Sequence, residues 1–320
     1  MSARAVGLLI GYAADRVLGD PQRFHPVAGF GTLATTLERI SYADSRTRGL
    51  THTLLLVGGV VAVGVAAERL TPRPVARAAA TAAATWAVLG GRSLEGEASA
   101  VLAHLEADDL AGARQRLTHL VGRDTAALDG SEVSRAVVES VAENSSDAVV
   151  APLVWGAWCG IPGLLGYRAV NTLDAMVGHH NARYERYGWA AARLDDLANL
   201  PGSRLAGLLT LFAMPSRSTE TWQTWRRDAA AHPSPNGGVV EAAFAGALGV
   251  RLGGTNSYYG HRVEHRAVLG DGRAARPDDI ARSTVLARRI GLAAAIAAAS
   301  AAALISVRGG WRECPRGPLG

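Results

Sequence analysis

The chain contains no lysine, because all 33 basic residues among its 320 are arginine. This absence excludes a Schiff-base lysine and the lysine of a P-loop. Any phosphate group must therefore be held by arginine, backbone N–H groups or a metal ion. Charge is scarce overall, since 19% of the residues are charged against about 25% in an ordinary soluble domain.

Cysteine is nearly absent as well. Cys159 and Cys314 form neither a disulfide framework nor a metal-binding spacing. Cys159 lies in an apolar run, so we expect it to be a small core residue. No basic run alternates with aromatic residues, so the sequence does not predict a nucleic-acid partner. Its basic loops favour an anionic membrane surface, and membrane lipid is an expected partner.

Apolar residues make up 48% of the chain, and aromatic residues only 6%. Such a composition suits helices that pack through small side chains in a bilayer. Long uncharged runs approach the roughly 20 residues that span a bilayer core. The six hydrophobic segments lie near residues 5–18, 50–67, 76–91, 148–167, 203–215 and 290–307. A soluble protein with buried alanine-rich helices is the alternative, which several uncharged runs in one chain disfavour.

The sequence thus predicts an all-α fold, namely a polytopic helical membrane protein with amphipathic helices and polar loops. We expect a single domain over residues 1–320, with polar catalytic regions at 92–147, 168–202 and 216–288. Arg4 before the first apolar run resembles a signal peptide. However, no clear small-residue cleavage site follows it, so an uncleaved first membrane helix is favoured.

Capping and turn residues divide the polar regions into helices. Residues 93–121 are typical of two amphipathic helices, with Asp108 or Asp109 as the cap between them. Asp129 and Glu132 predict a capping box that begins a helix ending near residue 143. The remaining signals are a polar helical stretch at 168–199 that breaks at Gly188, and a loop at 232–238.

The helix after Asp129 has an acidic face. At 100° per residue, Glu132, Glu139 and Glu143 share one side, and Asn144 and Asp147 follow directly. Like charges four residues apart are unfavourable by a few tenths of a kcal/mol unless water, an arginine or a cation compensates them. The pattern therefore predicts either a solvated acidic face or a cation site where the chain enters a membrane segment.

Two further clusters combine carboxylates with carboxamides. Asn171 and Asp174 share a helical face, and the adjacent pair Asp195–Asp196 precedes Asn199. Mg²⁺ binds one or two carboxylates together with substrate phosphate oxygens. Each motif alone is also compatible with helix capping. Carboxylates beside membrane segments are costly unless they are paired or functional, so the three clusters together favour a site.

A glycine-containing turn, Ser234–Gly238, precedes a helix that carries Glu241. Glycines after Asn236 allow the backbone to approach a ligand closely, and a helix N-terminus favours an anion. The alternative is an ordinary helix-entry turn. The histidines show no metal-binding spacing, and we expect structural roles for His25, His179 and His180.

Four stretches, taken in chain order, resemble the CobD/CbiB family, the membrane-bound adenosylcobinamide-phosphate synthases of cobalamin biosynthesis. They are DRVLGDPQRFHPV at 15–27, GRDTAALDGSEVSRAVVESVAENSSDAVVAPL at 122–153, GYRAVNTLDAMVGHHNARYERYGWAAARLDDLANLPGSRL at 166–205 and SPNGGVVEAAFAGALGVRLGG at 234–254. The resemblance covers most of the chain outside the variable hydrophobic segments and the C-terminal tail.

The resemblance implies an amide-forming enzyme of the cytoplasmic (inner) membrane. Such an enzyme joins aminopropanol phosphate, or aminopropanol, to the propionate of adenosylcobyric acid. ATP and Mg²⁺ are the implied co-substrate and metal, and other corrinoid-pathway enzymes are possible partners. An acyl phosphate followed by amine attack is the chemical logic, because a free carboxylate is a poor electrophile. The chain has no recognisable nucleotide-binding motif, so ATP rests on the resemblance alone.

Residue type assigns the expected roles within such a site. The expected catalytic carboxylates are Glu139, Glu143, Asp147, Asp174, Asp195 and Asp196. Four of these are expected Mg²⁺ ligands: Glu143, Asp147, Asp174 and Asp196. The expected substrate-binding residues are Arg123, Asp124, Asn144, Asn171, Arg193, Asn199, Arg204, Asn236 and Glu241.

Two other functions fit the same clusters. Intramembrane prenyltransferases also place Asn and Asp near helix ends to hold Mg²⁺-diphosphate, and a corrinoid-binding scaffold would need no catalysis. Topology is the structural question. If residues 148–166 cross the membrane once, Asp147 and Asn171 lie on opposite sides. Prolines and glycines in this segment allow a re-entrant helix instead, and we expect the acidic motifs to converge on one cytoplasmic-facing pocket.

Overall fold

The secondary structure of this chain is mainly helical. The computed structural model describes residues 2–20, 25–179, 181–258 and 262–312, with the backbone alone for 256–258, 262–264 and 308–312. His180 lies outside the described residues. The helices are α1 Ala3–Leu18, α2 Pro26–Ser41, α3 Arg46–Leu70, α4 Pro74–Val88, α5 Gly91–Glu106, α6 Leu110–Leu117, α7 Gly130–Ser145, α8 Ala151–Val177, α9 Trp189–Ala213, α10 Ser218–Asp228, α11 Gly237–Leu248 and α12 Pro277–Arg312. The strands are β1 Leu252–Tyr258 and β2 Arg262–Leu269.

Several helices begin where the sequence predicts. At the start of α7, Glu132 N–H donates to Asp129 (2.8 Å), and Asp129 N–H donates to Glu132 (2.9 Å), which completes the capping box. Asp109 caps α6 by accepting a hydrogen bond from Gly112 N–H at 2.8 Å. Gly188 is the residue before α9. These local signals are confirmed because each cap satisfies backbone donors that the helix leaves unpaired.

Small residues bring α1 and α4 into close contact. Gly7 and Gly11 of α1 face Thr81 and Thr85 of α4, and a Cβ on either glycine would collide with the opposite threonine. The pairs advance together along both helices, so the two helices run in the same direction. This close approach is the one that glycines four residues apart permit in membrane helices.

The exposure of the apolar helices identifies a membrane protein. Among the described residues, the helices at Arg46–Leu70, Gly130–Val177 and Pro277–Val307 are long and apolar enough to cross a bilayer. In α3 only 22% of the most apolar window is buried within the protein. An apolar surface of this size requires a lipid environment rather than water. The corresponding figure for Gly130–Val177 is 72%, so that segment lies inside the protein.

Helix α8 is a helical hairpin rather than a straight rod. At Gly160 the backbone takes φ 66° and ψ −144°, a conformation essentially restricted to glycine. The two arms pack together, since a Cβ on Gly156 would lie 2.8 Å from Cδ2 of Leu164. Farther from the tip, Ala151 clusters with Tyr167. The segment therefore re-enters, which is tolerated within a membrane where protein surrounds it.

The hairpin tip and its open end lie at opposite ends of the bundle. At the tip, Ile161 N–H donates to Glu68 at 3.1 Å, and Arg4 and Arg77 are ion-paired with the same carboxylate. The open end, which carries Asp147, is 13 residues from Gly160, or roughly 20 Å of helix. Cys159 at the tip is exposed, so its expected core position is wrong.

The region 216–288 is less uniformly polar than expected. Every residue of α11 is buried, so this short apolar helix belongs to the core. It is followed by an antiparallel pair of strands, β1 and β2, that the sequence analysis did not predict. Glycines in β1, rather than the usual β-branched residues, conceal the strand signal. The fold class is nonetheless confirmed as helical.

Candidate functional site

The acidic motifs converge at the open end of the hairpin. The side-chain amide of Asn199 on α9 donates to Oδ1 of Asp147 at 2.6 Å. Asn171, on the second arm of α8, donates to Oδ1 of Asp195 at 3.4 Å. Residues from both arms therefore meet the same face of α9. This arrangement confirms the expected convergence and excludes a single crossing that would separate Asp147 from Asn171.

A π-helical turn at Ser146–Val150 joins α7 to α8. Such turns are wider than an α-turn and occur frequently at functional sites. This one contains Asp147, and the hydroxyl of Ser146 donates to Oδ1 of Asn199 at 3.5 Å. The turn thus presents two consecutive polar side chains to α9. It also allows the polar end of α7 to continue directly into the buried hairpin.

Asp195 is a buried carboxylate surrounded by other acids. It is 9% exposed, and burial is the main cause that raises its pKa to about 7. The negative charge of Asp174 raises it further, whereas the hydrogen bond from Asn171 lowers it. Burial and like charge both disfavour the ionised form. The hydrogen bonds and positive charges around Asp195 therefore do not fully offset the negative charge of the cluster.

The acidic cluster opens to solvent at Glu143. This side chain is exposed, and those of Asn144 and Asp147 are half-buried, whereas the neighbouring polar side chains of Asp195 and Asn199 are buried. Exposed side chains within such surroundings line a cleft rather than a convex surface. Asn144 donates to the carbonyl of Ser140 at 2.9 Å, so one of its polar groups is used within its own helix.

Arg168 is the guanidinium that lies among these carboxylates. It is half-buried and lies within electrostatic range of Asp147 and Asp20. Within the described part of the chain, its one side-chain hydrogen bond to the cluster is a long contact of 3.4 Å to Asn171. Neither Arg168 nor Asp20 was among the site residues predicted from the sequence. Each is the third residue of a polar motif, GYRAVNTLD and LGDP respectively, and these motifs were the available signals.

The donor chemistry of the cluster fits Mg²⁺, which prefers oxygen ligands. Within the described ranges, however, no group of three or more His, Cys, Asp or Glu side chains is arranged to hold a metal ion. The four expected ligands therefore do not form one preassembled set. Asp196 lies apart from the other three. Its carboxylate faces Arg193 at 3.7 Å, and both side chains are partly exposed. Fewer protein ligands suffice where substrate phosphate supplies the rest.

Asn236 connects α11 to α9. Its amide nitrogen donates to the carbonyl of Asp196 at 2.8 Å. Its side-chain oxygen accepts from Ser203 at 2.9 Å and from Arg204 at 2.6 Å. Because these contacts use both ends of the amide, Asn236 holds the start of α11 against α9. The structure does not direct Asn236 or Arg204 at the acidic cluster.

Glu139 belongs to a different network. Its carboxylate accepts from Arg123 at 2.5 Å, from Arg135 at 3.0 Å and from the Gly253 N–H at 2.7 Å. These contacts attach β1 to α7. The two guanidinium groups also neutralise the negative charge of the carboxylate. Glu139 and Arg123 therefore belong to this network rather than to the acidic cluster. Asp124 also lies outside it, where it accepts a hydrogen bond from Ala126 N–H within its own turn.

His232 and Glu241 form a buried pair next to Glu143. The imidazole Nε2 lies 3.4 Å from Oε1 of Glu241, and the side chains are 4% and 3% exposed. Burial lowers the pKa of His232, but the attraction of Glu241 outweighs it and the pKa is raised overall. His232 was missed because a single histidine in a turn motif carries no spacing signal.

The fold and the cleft define a class of protein: a polytopic helical membrane protein with a carboxylate-rich polar site at one end of its bundle. The family model described as CobD/Cbib protein matches residues 8–287. The chain therefore belongs to the CobD/CbiB family.

Curated relatives agree over nearly the whole chain. A protein named cobalamin biosynthesis protein CobD from Mycobacterium tuberculosis is 52% identical over 92% of this chain and 95% of its own. Proteins of the same name from Geobacter metallireducens and Rhodobacter capsulatus are 44% and 40% identical, covering 85% and 89% of this chain and 88% and 93% of their own. No solved structure matches the chain.

Proposed function

We propose that this protein acts in cobalamin biosynthesis as an ATP-dependent amide synthase. It would join aminopropanol phosphate, or aminopropanol, to the propionate of adenosylcobyric acid and yield adenosylcobinamide phosphate or its dephosphorylated form. The observation that carries the proposal is the meeting of Asp147, Asn171, Asp195 and Asn199 in one cleft. Family membership and the name of the relatives support the pathway.

The carboxylates have a defined task in this proposal. Forming an amide from a carboxylic acid requires an activated acyl group, and ATP would supply it as an acyl phosphate. Mg²⁺, when bound, would neutralise the phosphate oxygens. Asp147 and Asp195 would hold the ion, and Asp174 would add negative charge beside them. Asn199 and Asn171 keep these carboxylates in position through the hydrogen bonds described above.

Arg168 would bind the anionic part of a substrate. A guanidinium forms two parallel hydrogen bonds to carboxylate or phosphate. In the described structure its contact to Asn171 is long, at 3.4 Å, so most of its donors are available to a ligand. Arg123 and Arg204, by comparison, are engaged with Glu139 and Asn236. Arg168 therefore replaces them as the main candidate for anion binding.

The site is proposed to face the cytoplasm from the inner membrane, because ATP is available on that side. Its charged end also carries the ion pairs of Glu95 with Arg16 and Arg288. Arginine also lies at the other end of the bundle, where Arg4 and Arg77 pair with Glu68, so the orientation is inferred from the need for ATP rather than from the arginine distribution. Soluble substrates would reach the cleft at Glu143, while lipid surrounds the apolar faces of α3 and α12.

The test is an assay with the full chain purified in detergent. It is incubated with adenosylcobyric acid, aminopropanol phosphate and Mg-ATP, and products are separated by mass. We expect an amide product and one ADP for each product molecule. Corrinoid binding without turnover would instead support a scaffold, and activity only with a polyprenyl diphosphate would overturn the proposal. An Asp147→Asn variant should bind corrinoid but form no product, and Asp271→Asn, whose side chain is 82% exposed, is the control.

A further inference from the structure

The glycine-containing turn before α11 is shaped around His232. A Cβ on Gly237 would lie 3.0 Å from Cε1 of the imidazole, and a Cβ on Gly238 would lie 2.6 Å from Cβ of His232. The contact at Gly238 is closer than side chains tolerate, and the contact at Gly237 would force the imidazole to shift. The backbone N–H of Ser234 donates to Nδ1 of the same ring at 3.0 Å. The turn thus fixes both the position and the orientation of one buried imidazole.

The two ring nitrogens of His232 have different surroundings. Nδ1 is turned towards the backbone of Ser234, whose N–H lies 3.0 Å away and whose carbonyl oxygen lies 3.2 Å away. Nε2 is buried and has no hydrogen-bond partner within the described residues. It faces Oε1 of Glu241 at 3.4 Å, which is an electrostatic contact rather than a well-formed hydrogen bond. A buried imidazole nitrogen and a buried carboxylate oxygen therefore face each other without a completed hydrogen bond.

Glu143 lies on the cleft side of this pair. It interacts electrostatically with both Glu241 and His232, and it is exposed while they are buried. The positive charge of Arg266 on β2 also affects these residues. It favours the negative charge of Glu143 and opposes a positive charge on His232. The cleft thus contains one accessible carboxylate, a second carboxylate behind it and a histidine fixed against the second.

We propose that Glu143 and Glu241 bind the primary ammonium group of the amine substrate, and that His232 is the positioning residue that holds Glu241 for this task. The inference rests on the proposed amide-forming function and assigns a subsite to its second substrate. Two carboxylates attract an ammonium ion that neither would hold alone. Corrinoid and phosphate would bind on the other side of Glu143, towards Asp147.

The subsite also accounts for the proton that amide formation releases. An ammonium ion has no free electron pair, so it must lose a proton before it attacks. The ammonium loses this proton to water at the exposed side of the subsite, and the nitrogen then attacks the acyl carbon of the acyl phosphate. The C–N bond forms, the bond from carbon to the phosphate oxygen breaks, and inorganic phosphate leaves. A second proton is lost from the nitrogen to reach the neutral amide, and it passes to water or to the departing phosphate.

The test compares steady-state kinetics of His232→Ala, His232→Gln and Glu241→Gln in the full chain. His119→Ala is the matched control, because His119 lies 3.2 Å from Glu97 in a surface pair and is 52% exposed. We expect the KM for the amine to rise roughly tenfold or more in His232→Ala, with the KM for ATP unchanged. His232→Gln, which keeps an N–H donor near Glu241, should recover part of the loss.

The outcomes separate this inference from the proposed function. If the wild-type protein forms amide but the amine KM of His232→Ala and Glu241→Gln stays within about twofold of the control, the subsite is overturned while the synthase stands. An equal rise in the KM values of amine and ATP would also overturn it, because that result indicates a general structural role. Where His232→Ala does not fold, the isosteric Glu241→Gln decides. No amide from the wild type would overturn both.

Discussion

The side-chain amide of Asn199 donates a hydrogen bond to Asp147 at 2.6 Å, across 52 residues of chain. The bond joins α9 to the π-helical turn at the entrance of the hairpin. Its geometry orients one carboxylate oxygen and leaves the other for a ligand. Asn199 is 2% exposed, so the contact is shielded from water and its loss is not compensated by solvent.

Replacing Asn199 by Asp should remove this contact and place a second carboxylate against Asp147. A hydrogen bond to a charged group contributes about 1.5–3 kcal/mol, so we expect a loss of roughly 10- to 100-fold in kcat/KM. The assay is amide formation with Mg-ATP. Asn181→Asp is the control, because Asn181 accepts from the N–H groups of Arg183 and Tyr184 in an outer turn and Asp accepts equally well. Equal activity of the two variants would contradict the role of Asn199.

Replacing Asp195 by Asn should stabilise the protein while it abolishes activity. The pKa of Asp195 is raised from 3.8 to about 7, so the folded protein keeps a proton that the unfolded chain loses between these values. Stability therefore falls as pH rises through this window and levels off above about pH 7. The variant lacks this titration. Its gain in Tm over the wild type should be small near pH 4 and full near pH 8.

Thermal unfolding in detergent measures the effect of Asp195→Asn at both pH values. Asp271→Asn serves as the control because its carboxylate is exposed on the surface. A Tm difference that does not change with pH would show that Asp195 is ionised at ordinary cost in the folded protein. Such a result would remove the main sign of uncompensated negative charge in the cluster.

The hairpin should place both flanks of residues 148–167 on one side of the membrane. Ala127 and Ala175 are exposed, and single cysteines there, in a chain without Cys159 and Cys314, should react with an impermeant maleimide from the same side. The reason is the reversal of the backbone at Gly160. Labelling from opposite sides would mean a single crossing and would contradict the hairpin. Intact and inverted vesicles provide the two orientations.

The contact between α1 and α4 should depend on Gly11. In a Gly11→Ala variant the new Cβ collides with Thr85 and with the carbonyl of Ala82, so the helices must separate. We expect destabilisation of about 1–3 kcal/mol. Gly59 of α3 is the matched control, because no atom lies within 4 Å of a Cβ built there. Unfolding in a denaturing detergent compares the two, and equal stability would exclude close packing at Gly11.

The sequence alone determined the class of fold and several helix ends. Apolar runs reveal membrane helices because the bilayer excludes charge over a fixed length. Caps such as Asp129 with Glu132 reveal helix ends because they act between residues three positions apart. Both signals are local, so no tertiary information is needed. The acidic motifs were visible for the same reason, as residue types recurring beside the apolar runs.

Tertiary structure decided which of those residues meet. Glu139 looked equivalent to Glu143, yet Arg123 and Gly253, distant in sequence, neutralise it in another network. His232 carried no signal because Glu143, on α7, comes next to it and Glu241 only when α11 packs on α7. Carboxylates beside the membrane, evident from composition and spacing, became one cleft only through the reversal at Gly160. Contacts between distant segments depend on that packing, and no local pattern encodes them.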